Sequence, residues 1–431
     1  MKINKSYKFR LEPNAEQAVI LNNLVGSARF VWNQMLAISF EMFAKNEFIN
    51  ATNLVNKIMD VKNNPDFEFL KTSANALSLQ QKIRDLASAW SRFFDPKVHA
   101  RLKENKKKSR KPKFFKLADG TDIQLRARMP RFKRKSDGYD SIRLVQFDKY
   151  CRIEGNRVKL PNGVGLVKFR KSQEIIGTIK NVTISNKSGY WYVSFGTERE
   201  VENPTHPSKT AVGIDLGVSK LITASNGQHI KPKNSFKAKL AKLQRQLSRK
   251  VLFSNNWKKQ NRKIQKLHHH IANIRHDYLH KISTDISKNH AMIVCEDLKV
   301  VNMSKSASGT LENKGRNVKA KSGLNKSILD QGWGMMIDMM DYKQQWRGGL
   351  LIKVDPHYTS QMCYECKHIA KENRRTQAKF ECVECGHQAN SDVNAAKNIL
   401  SAGHAVLSVE GGCSKGRPVK QKTCGGRSTV A

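Results

Sequence analysis

Four cysteines in two close pairs constrain this chain more tightly than any other feature. Cys363 and Cys366 are two residues apart, as are Cys382 and Cys385, with fifteen residues between the pairs. C-x2-C-x15-C-x2-C is the spacing of a zinc ribbon, in which two knuckles present four thiolates to one tetrahedral Zn²⁺. Protein fills all four positions, so the metal is structural. The remaining cysteines, Cys151, Cys295, Cys413 and Cys424, follow no pairing pattern. The opening MKINKSYKFRLEPNAEQ lacks the apolar core of a signal peptide. The expected compartment is therefore reducing, with thiols or metal ligands rather than disulfides.

Charge identifies the kind of partner. The chain has 431 residues, with 78 Lys and Arg against 36 Asp and Glu, a formal net charge of +42. Such an excess repels itself and calls for a large polyanion. Hydrophobic residues make up 39% and charged residues 26%, enough for real cores. No run of about 18 apolar residues exists, so no membrane span is expected. A cytoplasmic, nucleoid-associated location is expected.

The texture changes along the chain. KSYKFRLE (5–12) alternates like a strand, and Pro13 and Asn14 signal the start of a helix. Residues 16–60 and 76–104 carry helical apolar spacings. KENKKKSRKPKFFK (103–116) is a basic linker with Lys106, Lys107, Lys108, Arg110 and Lys111. From about 117 to 200, short runs rich in Val, Ile, Tyr and Phe alternate with the turns EGN, PNG and NKSG. They predict a small antiparallel β domain, a barrel that strand 5–12 could complete. Over 236–281 a helical hairpin is expected, with FSNN as its turn and Leu240, Leu243, Leu247 and Val251 along one stripe. Residues 236–267 hold eleven Lys and Arg and no acid. Lys237, Lys239, Lys242, Arg245, Arg249, Lys250, Lys258, Lys259, Arg262 and Lys263 are therefore candidate phosphate contacts. The tail after 408 is Gly-rich and aperiodic, as expected of a segment that folds only on nucleic acid.

Three acids stand out. TAVGIDLGVSKLIT (210–223) reads as two strands with Asp215 in the middle of the first. Val212, Ile214, Leu216 and Val218 share the packing face. Ala211, Gly213, Asp215 and Gly217 share a nearly bare one, so the carboxylate is expected to stand in a hollow. In HAMIVCEDLKV (290–300) a buried strand ends in Glu296 and Asp297, where ligands of helix-covered sheets gather. The pattern does not choose between those two. In NSDVNAAKNIL (390–400) Asp392 lies at a helix N-cap or one residue inside. Each acid alone has a plain structural reading: a turn-side Asp, a solvated strand end, a cap. Together they could hold Mg²⁺ or Mn²⁺ ions that stabilise the attacking and leaving oxygens of phosphodiester hydrolysis. No Ser/His/Asp set competes, and His268, His269 and His270 fan round a helix and cannot face one ion.

VGIDLGVSKLIT, IVCEDLKV, GWGMMIDMMDYKQQWRGGLLIKVDPHYTSQMCYEC and FECVECGHQANSDVNAAKNIL resemble the TnpB (OrfB) proteins of bacterial insertion sequences, relatives of type V CRISPR effectors. YKFRLEPNAEQAVILNNLVGSARFVWNQML resembles their N-terminal region. The likeness runs from residue 7 to about 404. It implies an α/β multidomain fold, an RNase H-like RuvC nuclease with a zinc-ribbon insertion, plus an antiparallel β wedge barrel and an inserted helical recognition domain. The expected division is 1–15 and 115–207 for the barrel and 16–114 for the recognition helices. The nuclease takes 208–360 and 390–404, the ribbon 361–389, and a basic tail 405–431. The resemblance places the catalytic acids at Asp215, Glu296 and Asp392, choosing Glu296 over Asp297, and zinc at the four paired cysteines. It implies a guide RNA from the element, target DNA beside a short adjacent motif, and a functional link to an element-encoded transposase. Asn390 and Ser391 stand where the family often has Asp-Arg. Tyr364 and Lys367 replace small residues of the first knuckle.

The expected activity is RNA-guided DNA cleavage for a transposable element, by a two-metal carboxylate mechanism. A nuclease-inactive RNA-guided repressor should lack one or more of the acids, and all three are present. A strand-joining transposase would need a motif such as paired His with a nucleophilic Tyr, and none is clear.

Overall fold

The first strand, β1 (Lys2–Glu12), buries Ile3, Tyr7, Phe9 and Leu11 by strict alternation. A computed structural model describes residues 1–70, 76–96, 113–126, 128–233, 236–309, 313–376 and 378–411. Asn14 then caps α1 (Ala15–Ala44). Its Oδ1 accepts from the Gln17 amide at 2.8 Å while Gln17 Oε1 accepts from the Asn14 amide at 3.2 Å. Helices α2 (Ala51–Asn63) and α3 (Ala76–Phe94) follow. A hairpin of β2 (Lys113–Lys116) and β3 (Asp122–Leu125) forms a separate two-stranded sheet and packs Phe115, Ile123 and Leu125 against the same core as these helices. Then come β4 (Tyr139–Val145), β5 (Arg152–Glu154), β6 (Arg157–Leu160), β7 (Gly165–Phe169), β8 (Thr178–Lys187) and β9 (Tyr190–Glu200).

These strands and β1 form one antiparallel sheet in the order β4-β8-β9-β1-β7-β6-β5. β1 pairs with β9 from Lys2–Glu200 to Arg10–Tyr192, then passes to β7 at Leu11–Phe169. The helices are thus inserted between a sheet's central strand and the rest of it. Among the described residues no ladder joins β4 to β5. Helices and sheet share one core, in which Phe9, Phe169 and Phe195 meet at centroid distances of 5.3–6.1 Å.

The chain divides into two compact units. One comprises 1–203, 234–276 and 306–322; the other comprises 204–233, 277–305 and 323–431. The basic hairpin, α4 (Lys237–Ser248) and α5 (Asn255–Asn289), therefore lies up to residue 276 with the first unit and not with the expected nuclease segment. One reason is His269, buried with its Nε2 2.7 Å from the Tyr192 hydroxyl of β9. Its neighbours His268 and His270 are exposed, so the three rings do not converge. The turn also falls earlier than expected. α4 ends at Ser248, so Val251 leaves the predicted stripe and is exposed.

In the second unit the sheet order is β12 (His229–Ile230), β11 (Ile222–Ala224), β10 (Ala211–Asp215), β13 (Met292–Glu296), β14 (Leu350–Val354). β10, β13 and β14 are mutually parallel; the other pairs are antiparallel. Helices cover both faces, as an α/β architecture requires. Ile293 and Cys295 pack with Leu279 and Ile282 of α5 and with Met336 and Met340. The last two belong to α7 (Trp333–Arg347), which follows α6 (Val318–Gln331). Met292 and Val294 face the opposite way, with Ile399 of α8 (Ser391–Gly411). That final helix runs beyond residue 404, where a flexible tail was expected to begin. A small hairpin, β15 (Lys379–Glu381) with β16 (Gln388–Asn390), belongs to the cysteine module. Among the described residues no helix is long and apolar enough to cross a membrane.

Candidate active site and metal centre

Asp215 is the last residue of β10 rather than its middle, because the chain leaves the sheet at Leu216 and Gly217. β10 and β13 run in parallel register from Ala211–Met292 to Ile214–Cys295. Asp215 and Glu296 are the next residues out, side by side at the carboxyl ends of neighbouring strands. Asp297, by contrast, is exposed, and its amide donates to the Val354 carbonyl at 2.8 Å.

The bare face of β10 is not a hollow. A Cβ on Gly213 would lie 2.1 Å from the Ala396 carbonyl oxygen and 2.8 Å from Leu400 Cβ. The missing side chain admits the backbone of α8, not a ligand. Gly403 repeats the device against Val294, whose Cγ2 would be 2.4 Å from an added Cβ. This close approach carries the third acid into place. Asn390 Oδ1 accepts from the amides of Asp392 and Val393 at 3.2 and 3.4 Å, so Asn390 caps the helix and Asp392 lies in its first turn. Its carboxylate is then available for other partners: Lys220 Nζ at 3.2 Å and an Arg374 guanidinium nitrogen at 3.7 Å.

Burial, together with the carboxylates of Glu296 and Asp392, pushes Asp215 up to about 7, against the opposing pull of Arg374 and the Leu216 amide. Burial raises Glu296 as well, opposed by Thr359, whose Oγ1 donates to Glu296 Oε1 at 2.7 Å. Like charges held together in a partly buried place are what a cation relieves. The acids form an open constellation. Among the described residues only the four paired cysteines gather their ligand atoms within 4.8 Å of one another.

In that module Cys363 Sγ lies 3.7 Å from Cys385 Sγ, and Cys366 Sγ 3.5 Å from Cys382 Sγ. The two knuckles are built alike. The amides of Cys363 and Cys382 each donate at 2.9 Å to a histidine carbonyl, His368 or His387. Lys367 at φ +63° and Gly386 at φ +71° take equivalent left-handed positions. Four soft donors this close fit a tetrahedral zinc ion. Buried Asn373 joins the knuckles. Its Nδ2 donates to Gln361 O at 2.9 Å and its Oδ1 accepts from the Val383 amide at 2.9 Å, which fixes the backbone beside Arg374.

Two further asparagines tie this module to α8. Asn394 Nδ2 donates to Met362 O at 2.8 Å, and its Oδ1 accepts from the Tyr364 amide at 3.0 Å. Asn398 Nδ2 donates to Met362 O at 2.7 Å and Thr359 O at 3.1 Å. No sequence motif singles out Lys220, Thr359, Asn373, Arg374, Asn394 or Asn398. Only the asparagines left a signal: two amides four residues apart on the apolar stripe of VNAAKNIL must find partners if that stripe is buried.

Lys237, Lys239, Lys242, Arg245, Arg249, Lys258, Lys259, Arg262 and Lys263 of the hairpin are exposed, and Lys250 is half-buried. Lys106, Lys107, Lys108, Arg110 and Lys111 lie outside the described residues.

Residues 194–307 match a family model described as "Probable transposase" (OrfB_IS605), and residues 333–399 match "Cas12f1-like, TNB domain". Residues 1–47 match "Helix-turn-helix domain", although the structure there holds one strand and one 30-residue helix. The chain is 48% identical to "Putative RNA-guided DNA endonuclease InsQ" of Escherichia coli (strain K12), over 98% of each protein. It is 28% identical to "Putative RNA-guided DNA endonuclease" of Streptomyces pristinaespiralis, over 99% of this chain and 96% of that protein. The solved "Cryo-EM structure of the Cas12f1-sgRNA-target DNA complex" aligns over 92% of this chain and 99% of that one. Its identity is 18% and its TM-score 0.32, too low to bear on the fold.

Proposed function

Because the chain belongs to the TnpB (OrfB) family, we propose that it is an RNA-guided DNA endonuclease of a transposable element, cutting guide-matched DNA at Asp215, Glu296 and Asp392. The observation that carries this reading is the convergence of those acids from β10, β13 and α8 at the carboxyl ends of the parallel strands of one sheet. It also favours cleavage over a binding-only role, since nothing about folding requires Glu296 and Asp392 to crowd Asp215.

On this reading the second unit is the RuvC-like, RNase H-type nuclease with its zinc ribbon. The seven-stranded sheet, with no ladder between β4 and β5 among the described residues, takes the place of the wedge barrel, and α1 to α3 are the inserted recognition helices. The partners are a guide RNA, target DNA with its adjacent motif, and a transposase of the same element. Base pairing reads the target, while the protein tracks backbones with its basic surfaces.

The carboxylates suit Mg²⁺ or Mn²⁺, which when bound supply charge stabilisation to the attacking and leaving oxygens. The chain's own residues arrange the rest. Strands β10 and β13 hold two carboxylates on a rigid platform. Thr359 fixes the rotamer of Glu296 through its hydroxyl. Lys220 and Arg374 neutralise Asp392, and Arg374, anchored by Asn373, offers a guanidinium to a scissile phosphate in the same place. The four thiolates fit structural zinc and take no part in the chemistry.

The test uses protein co-purified with its RNA and a plasmid matching that RNA, in Mg²⁺. Asp215→Ala, Glu296→Ala and Asp392→Ala should each lose cleavage by a factor of 100 or more, on the order of an electrostatic catalytic group, while retaining RNA. Variants that cut like the parent would overturn the assignment of the acids. A parent protein that retains RNA and binds the matched plasmid without nicking it would leave a repressor instead.

A further inference from the structure

The turn between α4 and α5 exposes three consecutive apolar side chains: Val251 at 79%, Leu252 at 63% and Phe253 at 66%. Phe253 sits at φ +63°, a left-handed conformation that bulky residues avoid. Its ring meets Trp257 edge-on, with centroids 5.4 Å apart. The hairpin does not need this display to stay closed. Below the tip, Gln260 is only 6% exposed, and its Nε2 donates to Leu243 O at 3.1 Å and Gln246 Oε1 at 3.0 Å. Ser254 Oγ accepts from the Trp257 amide at 3.1 Å, closing the first turn of α5. An exposed apolar run on a well-tied tip marks a contact surface.

The surrounding charge says what touches it. Arg249, Lys258, Lys259 and Arg262 flank the tip and are exposed, and 236–267 contains no acid at all. These uncompensated cations disfavour a purely apolar partner, whereas a nucleic acid offers both a π-face and phosphates. We propose that Phe253 and Trp257 form a stacking platform for an unpaired base of a bound nucleic acid, with its flanking phosphates on Arg249, Lys258, Lys259 and Arg262. An aromatic face accepts any base, so the platform is sequence-tolerant. The inference rests on the nucleic-acid partner proposed above and not on the three acids.

Anisotropy titrations of the full chain with a labelled oligothymidine and with a duplex of equal length, over a range of salt, test it. Phe253→Ala and Trp257→Ala should each weaken the single strand roughly 5- to 150-fold, leave the duplex within twofold, and keep the slope of log K against log[salt]. Phe253→Tyr should restore single-strand binding. Arg249→Ala with Lys258→Ala should weaken both ligands and flatten the salt slope. Unchanged single-strand affinity in both aromatic variants, with parental helicity by circular dichroism, would overturn the platform. So would a change in sedimentation of the free protein without a change in affinity, which would assign the tip to a second copy of the chain. A parent that binds neither oligonucleotide would bring down the nucleic-acid reading itself.

Discussion

Glu296 owes its orientation to a residue that no acid motif contains. Thr359 donates to its carboxylate, and Asn398, fully buried on α8, holds the Thr359 carbonyl and the Met362 carbonyl with one amide nitrogen. The link from α8 to Glu296 is therefore two hydrogen bonds long. Replacing Asn398 by Ala leaves two carbonyls without that donor, a loss of about 1–3 kcal/mol. Denaturant unfolding should show it, and cleavage should fall further than the lost stability explains, since Thr359 is freed. At this scale the sequence is half legible. A carboxylate at a strand end announces itself because it is a poor strand residue. A buried asparagine looks like any helix residue until the surface facing it is known.

Elements show the same division. The pattern of β10 reveals that side chains are missing from one face, but not what occupies the space. The occupant is the backbone of α8 at Ala396 and Leu400, which Gly213 admits. A Gly213→Ala substitution puts a methyl group 2.1 Å from a carbonyl oxygen. The helix must retreat, at a cost of about 1–3 kcal/mol for overpacking, and Asp392 retreats with it. The expected result is a lowered melting temperature together with cleavage reduced nearly as far as in Asp392→Ala. Full activity in Gly213→Ala would mean that Asp392 tolerates displacement. The apolar pattern predicts two helices for the basic hairpin but sets their turn too late. Leu240, Leu243 and Leu247 set a helical rhythm that Val251 continues by coincidence, and only the exposed tip breaks it.

For the whole molecule, the two units are interleaved along the chain rather than sequential. β1 precedes the helices in the chain yet pairs with strands that follow them, and the three acids come from β10, β13 and α8, far apart in sequence. The cysteine module is tied to the final helix, because Asn394 and Asn398 grip the residues between Thr359 and Tyr364. Structural zinc in such sites contributes on the order of 10 kcal/mol to local folding. Stripping the metal with a chelator should release about one zinc per chain, seen with a colorimetric zinc indicator. Cleavage should be lost even with Mg²⁺ in excess, and zinc with fresh reductant should restore it. Activity that survives complete zinc loss would disconnect the module from the acids.

By itself the sequence determined the chemistry on offer: four thiolates at ribbon spacing, three carboxylates on strands and a helix start, and a basic excess that demands a polyanion. These are properties of residue type and short spacing, which need no partner to be read. The tertiary structure decided which groups meet. It carried Asp392 to Asp215 through a glycine contact, supplied Lys220 and Arg374 as counter-charges, and grouped the basic hairpin with the first unit. Each of those outcomes depends on close packing between segments remote in sequence, where one absent methyl or one buried amide sets the distance, and no local pattern encodes that.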